Sequence, residues 1–218
     1  MRIAVLGTGT VGQAVADKLV ALGHEVAMGS RTADNPNAVE WAARAGRLGR
    51  AGTFADAAAF GELLVNATAG NASVLALTAA GEANLAGKVL IDIANPLDYS
   101  AGMPPSLDPV NTDSLGEQIQ SAFPELRVVK TLNTMRFEVM VDPARIPGKH
   151  NVFVCGNDQD AKKTAGELLA WFGWPEDSVI DLGDITTSRG TEMLLPVWLR
   201  LWGALGHTDF NFHIQSAR

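Results

Sequence analysis

Residues 1–12 read Met1-Arg-Ile-Ala-Val-Leu-Gly7-Thr8-Gly9-Thr10-Val11-Gly12, and a helical pattern over 13–22 and an apolar run at 25–29 follow them. A strand that leads through Gly-x-Gly-x-x-Gly into a helix is typical of dinucleotide-binding crossovers. Gly7 permits the tight turn, Gly9 lets backbone amides approach a pyrophosphate, and Gly12 lets the helix lie close to the strand. The helix N-terminus adds a partial positive charge. We therefore expect this turn to bind a dinucleotide.

The residues after the second apolar run indicate which dinucleotide is bound. An NAD-preferring site usually has Asp or Glu here, which accepts hydrogen bonds from the adenosine ribose. This sequence instead reads Gly29-Ser30-Arg31-Thr32. The planar, permanently charged Arg31 suits a 2′-phosphate, and Ser30 and Thr32 can add hydroxyl donors. We expect NADP(H). In the alternative, Arg31 is a solvated loop residue and Asp34, which lies far into the loop, is the ribose acid.

Size and composition restrict the class of protein. The 218 residues, 47% hydrophobic and 19% charged, suffice for one substantial α/β domain. A formal net charge of −7 without a basic run argues against nucleic acid and membrane surfaces as partners. The single cysteine, Cys155, excludes an internal disulfide, and no signal peptide is discernible, so we expect a cytoplasmic protein. The apolar stretch 193–205 is short and contains Arg200, which predicts a buried or subunit-facing helix and no membrane span.

Short runs of Val, Leu and Ile recur along the chain, with helical patterns between most of them. This alternation predicts βαβ crossovers and parallel strands covered on both faces. Asn35-Pro36 is typical of a helix start. We predict a single α/β domain over 1–218, a doubly wound, mostly parallel Rossmann-type sheet with helices on both faces and a C-terminal helix. Its dinucleotide-binding core is 1–135, and the extension 136–218 completes the sheet and the pocket for a second reactant. The predicted strands are 3–6, 25–28, 63–66, 89–93, 128–131, 152–155 and 179–182.

The residues that follow these strands indicate where chemistry would occur, because open parallel sheets bind ligands beyond the carboxyl ends of their strands. Small, amide and hydroxyl side chains predominate there, and they suit a flat ring with a few hydrogen-bonding edges. Asn and Thr are also common loop formers and helix caps, and for any single exit that interpretation is equally good. The exits are Asn66-Ala67-Thr68-Ala69, Ala94-Asn95-Pro96, Leu132-Asn133-Thr134-Met135 and 184–189, of which the last carries a cluster of charge.

The sequence has no evident residue set for general acid–base chemistry. It shows no Ser–His–Asp arrangement, no His/Cys metal spacing and no Tyr-x-x-x-Lys pair, and its only tyrosine, Tyr99, lies in the irregular stretch 94–113. A hydroxy-acid dehydrogenase needs such a residue because a proton moves with the hydride. With a second hydride carrier, orientation of two rings and exclusion of water suffice. The pattern favours that second case, and the long stretch 94–113 is typical of a functional lid.

The C-terminal segment has an aromatic stripe and two opposite charges. Trp198 and Trp202 are four residues apart, a spacing more often found in a core or dimer interface than in a cofactor site. We expect a homodimer built partly on this helix. Arg189 and Glu192 could form a solvated ion pair of little energetic value, or Arg189 could hold an acidic group of the second reactant.

The chain resembles the coenzyme F-420-dependent NADP reductase family over nearly its whole length. The resemblance rests on the glycine motif and on Gly23-His-Glu, Gly29-Ser-Arg31, Asn95-Pro96, Val129-Lys-Thr-Leu-Asn-Thr134, Cys155-Gly-Asn-Asp158 and Ser188-Arg189 with Glu192 and Pro196. It implies that Thr8, Gly9, Thr10 and Val11 contact the pyrophosphate and that Ser30 and Arg31 hold the 2′-phosphate. It also implies that Thr68, Ala69 and the segment 133–135 lie beside the nicotinamide, with the deazaflavin against the strand exits and the C-terminal helix.

The resemblance implies an NADP(H)-dependent oxidoreductase that transfers hydride between NADPH and a small-molecule deazaflavin coenzyme, F-420. Two alternatives stay open, namely an NADPH-dependent flavin or ferric reductase and a non-enzymatic NADP(H)-sensing or partner-binding domain. We predict no metal site and identify no catalytic side chain. The predicted cofactor-binding residues are Gly7, Thr8, Gly9, Thr10, Val11, Gly12, Ser30, Arg31, Thr32, Asn66, Thr68, Ala69, Asn95, Asn133 and Met135.

Overall fold

Strands and helices alternate along the chain in the computed structural model, which describes residues 1–217. The strands are β1 (Arg2–Leu6), β2 (Glu25–Ser30), β3 (Gly49–Thr53), β4 (Leu63–Asn66), β5 (Val89–Asp92), β6 (Leu97–Asp98), β7 (Ser106–Leu107), β8 (Arg127–Thr131), β9 (Val152–Gly156) and β10 (Val179–Gly183). The helices are α1 (Thr10–Ala21), α2 (Pro36–Ala45), α3 (Phe54–Phe60), α4 (Gly70–Ala80), α5 (Glu82–Leu85), α6 (Leu115–Ala122), α7 (Phe137–Val141), α8 (Gln159–Phe172) and α9 (Ser188–Leu205). Short 3₁₀ turns lie at Gly46–Leu48, Pro143–Arg145, Glu176–Ser178 and Ile185–Thr187.

One sheet contains eight of these strands in the order β10-β9-β8-β5-β4-β1-β2-β3. Neighbouring strands are parallel except for the antiparallel pair β8 and β9. The strand order reverses direction on either side of β1, which creates the crevice where such sheets bind ligands. The prediction of a doubly wound, mostly parallel Rossmann-type sheet with a C-terminal helix is confirmed.

Two hydrophobic layers cover the sheet because successive strand residues point to opposite faces. On one face, Ile3 and Val5 of β1 pack with α1, α2, α7 and α8. On the other face, Ala4 and Leu6 pack with α3, α4, α5 and α6. Burial on both faces explains why the strands read as continuous apolar runs without alternation. Within residues 1–217, none of the helices combines the length and the apolar character that crossing a membrane would require.

The predicted start of α2 is confirmed, and three strands, β3, β6 and β7, were missed. Asn35 caps this helix by accepting a hydrogen bond from the amide of Ala38 at 3.2 Å, with Pro36 at the first helical position. Strand β3 was missed because Gly49-Arg-Ala-Gly-Thr53 contains no apolar run, and it pairs only at the sheet edge, beside β2. The stretch 94–113, predicted to be irregular, contains the small antiparallel hairpin of β6 and β7.

Strands β9 and β10 run opposite to the rest of the sheet. Antiparallel pairing joins Gly156 to Val129 and Val154 to Thr131, and β10 is parallel to β9. The carboxyl end of β10 therefore lies away from the edge where β1, β4, β5 and β8 end. The expectation that the charged exit 184–189 joins the other exits was wrong, because β9 is antiparallel to β8 and β10 follows the direction of β9.

Candidate functional site

The glycine-rich turn leaves open space above Gly9 and crowds its two flanking glycines. A Cβ atom on Gly7, where φ is +121°, would lie 2.4 Å from the carbonyl oxygen of Ala67, and one on Gly12 would lie 2.2 Å from that of Gly7. A Cβ atom on Gly9 would meet nothing within 4 Å. Helix α1 begins just after Gly9, and no side chain in the described part of the chain caps it. Its first amide groups can therefore bind an anion.

The end of β2 presents Arg31 to solvent. Across residues 1–217, no carboxylate forms an ion pair with its guanidinium group. Thr32 is also exposed. Ser30 is buried, and its hydroxyl donates to the carbonyl oxygen of Thr32 at 2.5 Å, so its hydrogen is already engaged. Arg31 is therefore the group at this strand end that is best suited to hold an added anion.

A cavity of about 700 Å³ extends from the N-terminus of α1, past the exits of β4 and β5, to helix α9. Arg136 is the one charged side chain among the described residues that line it. Trp198 packs in a small hydrophobic cluster with Leu107 and Leu195, as expected for a core residue, and it also lines the cavity together with Trp202. Of the predicted site residues, it brings together Gly9, Thr10, Val11, Thr68, Ala69, Asn95 and Met135. The cavity therefore connects the glycine-rich turn to an aromatic wall that contains Trp198 and Trp202.

Buried amide side chains hold the strand exits that form the floor of this cavity. Asn66 is fully buried, and its Oδ1 accepts hydrogen bonds from the hydroxyl and the amide of Thr68 at 2.7 and 3.3 Å. The side chain of Asn95 donates to the carbonyl oxygen of Asn133 at 2.7 Å, and the side chain of Asn133 donates back to Asn95 Oδ1 at 3.0 Å. Asn66 and Asn133 thus lie behind the floor, whereas Thr68 and Asn95 face the cavity.

A buried ion triad lies below the floor. Lys130 of β8 is fully buried, and its Nζ lies 2.8 Å from Asp92 Oδ2 and 2.8 Å from Glu192 Oε1. Its third hydrogen goes to the carbonyl oxygen of Ala94 at 2.6 Å. Burial lowers the pKa of Lys130, but the two carboxylates outweigh it, so this pKa lies above its ordinary value. The ammonium group therefore stays charged with all its hydrogens engaged.

The expected ion pair between Arg189 and Glu192 does not form, and Arg189 is not among the described residues that line the cavity. Arg189 binds Glu117 of α6 through two hydrogen bonds of 2.8 and 2.5 Å, and its hydrogen bond holds the pKa of Glu117 below the ordinary value. Glu192 is buried and pairs with Lys130, so the two residues do not form an ion pair with each other. The triad itself was not predicted from the sequence. Two sequence features could have indicated it, namely a lysine inside the apolar run 128–131 and an aspartate at the end of the run 89–92.

Solved structures share this fold. The crystal structure of a candidate F-420-dependent NADP reductase from Arthrobacter sp. FB24 is 58% identical, with a TM-score of 0.94, over 99% of this chain and 100% of that chain. A reductive aminase from Aspergillus terreus in complex with NADPH is 19% identical, with a TM-score of 0.66, over 94% of this chain and 62% of that chain. The second likeness concerns the fold alone.

Sequence comparisons agree with the first of these structures. Residues 2–96 match the profile of the family described as NADP oxidoreductase, coenzyme F-420-dependent. The F-420-dependent NADP reductase of Methanocaldococcus jannaschii is 31% identical over 120 residues, which are 54% of this chain and 52% of that protein. Metalloreductase STEAP3 of Rattus norvegicus is 27% identical over 201 residues, which are 90% of this chain and 38% of that protein. The chain thus spans about half or less of these two relatives.

Proposed function

Since this chain belongs to the family of coenzyme F-420-dependent NADP oxidoreductases, we propose that it transfers hydride between NADPH and the deazaflavin coenzyme F-420. The family makes it an NADP-dependent oxidoreductase, and the second reactant is the part we propose. One observation carries the proposal, namely a cavity that runs from the phosphate-binding turn to a wall containing Trp198 and Trp202. Such a cavity has room for two flat rings.

The residues present fit NADPH. The open space above Gly9 and the first amides of α1 would hold the pyrophosphate, and Arg31 would hold the 2′-phosphate. Thr68, Ala69, Asn95 and Met135 would border the nicotinamide. When bound, NADPH supplies the hydride. The protein's share of the reaction is orientation and exclusion of water, since no Asp, Glu, His, Lys or Cys stands among the described residues that line the cavity.

A direct assay tests the proposal. Purified protein is mixed with NADPH and oxidised F-420, and the absorbance of the deazaflavin and of the nicotinamide is followed together. We expect both to fall in equal molar amounts, with little turnover when NADH replaces NADPH. Oxidation of NADPH by other acceptors, with F-420 left unchanged, would contradict the proposed acceptor.

A flavin or ferric reductase is the second candidate, and the alignment of 90% of this chain with metalloreductase STEAP3 favours it. The cavity's aromatic wall would also accept a flavin ring. Turnover of NADPH with flavin and a ferric chelate, at a rate above that with F-420, would select this candidate. The same absorbance assay, repeated with each acceptor, distinguishes the two candidate functions. Binding of NADPH without turnover on any acceptor would favour a nucleotide-sensing role and contradict both.

We also propose a homodimer that uses the outer face of α9. Met193, Val197 and Leu205 on this helix are 37, 49 and 50% exposed, and a second copy could cover these apolar side chains, with the exposed Arg200 beside them. Val197→Glu should then convert a dimer into a monomer in analytical ultracentrifugation. Leu75→Glu is the control, because Leu75 on α4 is even more exposed, at 72%. A wild-type monomer, or dissociation by both variants, would contradict this interface.

We also propose how the chain is organised into functional parts and in which compartment the protein works. Residues 1–135 would bind the dinucleotide, and residues 136–218 would complete the sheet and supply the acceptor wall, as one domain. The part of the extension that the structure describes contributes Leu195, Trp198 and Trp202 to the cavity, which supports this division. We propose a cytoplasmic location because the lone Cys155 is a free, buried thiol, which fits a reducing compartment.

A further inference from the structure

A continuous chain of buried hydrogen bonds leads from the floor of the cavity into the sheet. Thr68, which faces the cavity, is held by Asn66, and the Nδ2 of Asn66 donates to Asp92 Oδ1 at 2.8 Å. The other oxygen of Asp92 binds Lys130, and Lys130 also holds the carbonyl oxygen of Ala94, a second floor residue. Asn66, Asp92 and Lys130 are all fully buried. The exits of β4 and β5 are therefore fixed to one ammonium group.

The same ammonium group fixes the opposite wall. Glu192, 2% exposed, is the only triad member that comes from α9. Its carboxylate accepts hydrogen bonds from Lys130 and from the amides of Leu115 and Gly116 at the start of α6, at 3.0 and 3.2 Å. The wall residues Leu195, Trp198 and Trp202 follow it on the same helix. The position of Glu192 thus determines how far this wall lies from the floor.

Stability alone does not explain a buried triad of two carboxylates and one ammonium group. Removal of ions from water is costly, and well-packed apolar side chains of similar volume are often as stabilising or more so. What charged, hydrogen-bonded partners add is a single geometry, because each acceptor must meet its donor at a fixed distance and angle. Hydride transfer depends on such geometry, since a misplacement of about 1 Å can slow a reaction by about a hundredfold.

We propose that Glu192 and Lys130 are positioning residues that set the width of the cavity between the exits of β4 and β5 and the wall formed by α9. This inference deepens the proposed function and rests on it, because the cavity width matters for reaction only if two rings meet there. Neither side chain lines the cavity, so they act through Thr68 and Ala94 on one side and through Leu195 and Trp198 on the other. The triad is a connection between floor and wall.

Glu192→Gln is the informative variant. Glutamine keeps the size of the side chain but replaces one acceptor oxygen with an NH₂ donor, whereas all three partners of Glu192 are donors. We expect kcat to fall about 10–100-fold and the KM for the acceptor to rise, while the Kd of NADPH stays within about twofold. With NADPH deuterated at C4, the isotope effect on kcat should increase, because hydride transfer becomes the slow step.

Glu117→Gln is the matched control. It breaks the Arg189–Glu117 ion pair, which joins the same two helices, but it leaves the triad intact. This control should keep the wild-type kcat and isotope effect. Equal losses in both variants would show that any weakening of the contact between α6 and α9 has this effect, and would overturn the assignment to the triad.

A second measurement does not depend on turnover. Hydrogen–deuterium exchange of the nucleotide-free protein should show faster exchange in residues 193–205 of Glu192→Gln, with unchanged exchange in β1 and α1. Wild-type exchange in α9 would overturn the proposal even if no acceptor is ever found. Failure of the wild-type protein to reduce any acceptor, by contrast, would defeat the proposed function alone.

A neutral triple variant separates positioning from stability. Asp92→Asn/Lys130→Met/Glu192→Gln removes the buried charge and nearly keeps the volume of each side chain, so no carboxylate is left buried without a cation. The proposal expects this protein to be folded, to bind NADPH and still to be slow. A triple variant with the wild-type kcat would show that the triad serves stability only, and would overturn the proposal.

Discussion

Lys130→Met is expected to lower the free energy of unfolding by about 3–5 kcal/mol, because it leaves the carboxylates of Asp92 and Glu192 buried without their cation. For a chain of this length, the melting temperature should fall by about 6–20 °C. Methionine fills nearly the same volume, so a cavity contributes little to the loss. Urea unfolding at pH 7, followed by circular dichroism, measures it. The triple neutral variant should regain part of this free energy of unfolding, because it leaves no carboxylate buried without a cation.

The pH dependence of Lys130→Met identifies the cause. In this variant two buried negative charges lack a cation, so uptake of a proton should stabilise the folded protein, whereas the unfolded chain keeps its carboxylates in water. The folded state of the variant then binds more protons than its unfolded state. The loss in free energy of unfolding, relative to the wild-type protein, should therefore shrink as the pH falls from 7 towards 5. A deficit that is independent of pH would indicate lost packing instead.

Lys162→Met is the control for the buried charge. Lys162 is also buried and binds Asp181 at 2.8 Å, but the Asp181 side chain is 50% exposed and can return to water. We expect a loss of about 1 kcal/mol or less there. Similar losses at Lys130 and Lys162 would contradict the assignment of the large effect to stranded carboxylates.

Arg31→Ala is expected to weaken NADPH binding by about 1.5–3 kcal/mol, or about 10–150-fold, and to leave NADH binding nearly unchanged. The expected difference arises because the exposed guanidinium group at the end of β2 has no carboxylate partner within residues 1–217 and can bind the 2′-phosphate, which NADH lacks. Isothermal titration calorimetry with both nucleotides measures the change. An equal loss for NADPH and NADH would show that Arg31 does not read this phosphate.

Arg47→Ala controls for net charge. Arg47 is an exposed arginine in the 3₁₀ turn before β3, at the amino end of the parallel strands, whereas Arg31 lies at their carboxyl end. Both variants lose one positive charge, so long-range attraction for the phosphates changes by a similar amount. Only Arg31→Ala should discriminate between the two nucleotides.

The nucleotide half of the fold was predictable because its signals are local. The strand, the Gly7–Gly12 turn and the helix lie within about twenty residues, and the steric limits at Gly7 and Gly12 leave few alternatives. The Asn35-Pro36 start of α2 was equally local, since a cap acts on amides only three residues away. Continuous apolar runs indicated a sheet buried on both faces.

The rest depended on contacts between distant residues. Nothing near 152–156 shows that β9 runs antiparallel to β8, because apolar runs look the same in either direction. Asp92, Lys130 and Glu192 are separated by 38 and 62 positions, so no spacing rule connects them. The core role expected for Trp198 is found, but its place beside the cavity was not predicted, because helical spacing shows which residues share a face and not what that face meets.

The arrangement of α9 also bears on how this protein's lineage could change. Glu192, near the start of the helix, is tied to the sheet, whereas Leu195, Trp198 and Trp202 further along border the side of the cavity that we propose for the electron acceptor. Mutations at these later positions can alter the electron acceptor while inherited NADPH recognition stays intact, because the glycine turn and Arg31 lie on other elements. Related proteins could therefore evolve to use different electron acceptors while they continue to bind NADPH as the electron donor.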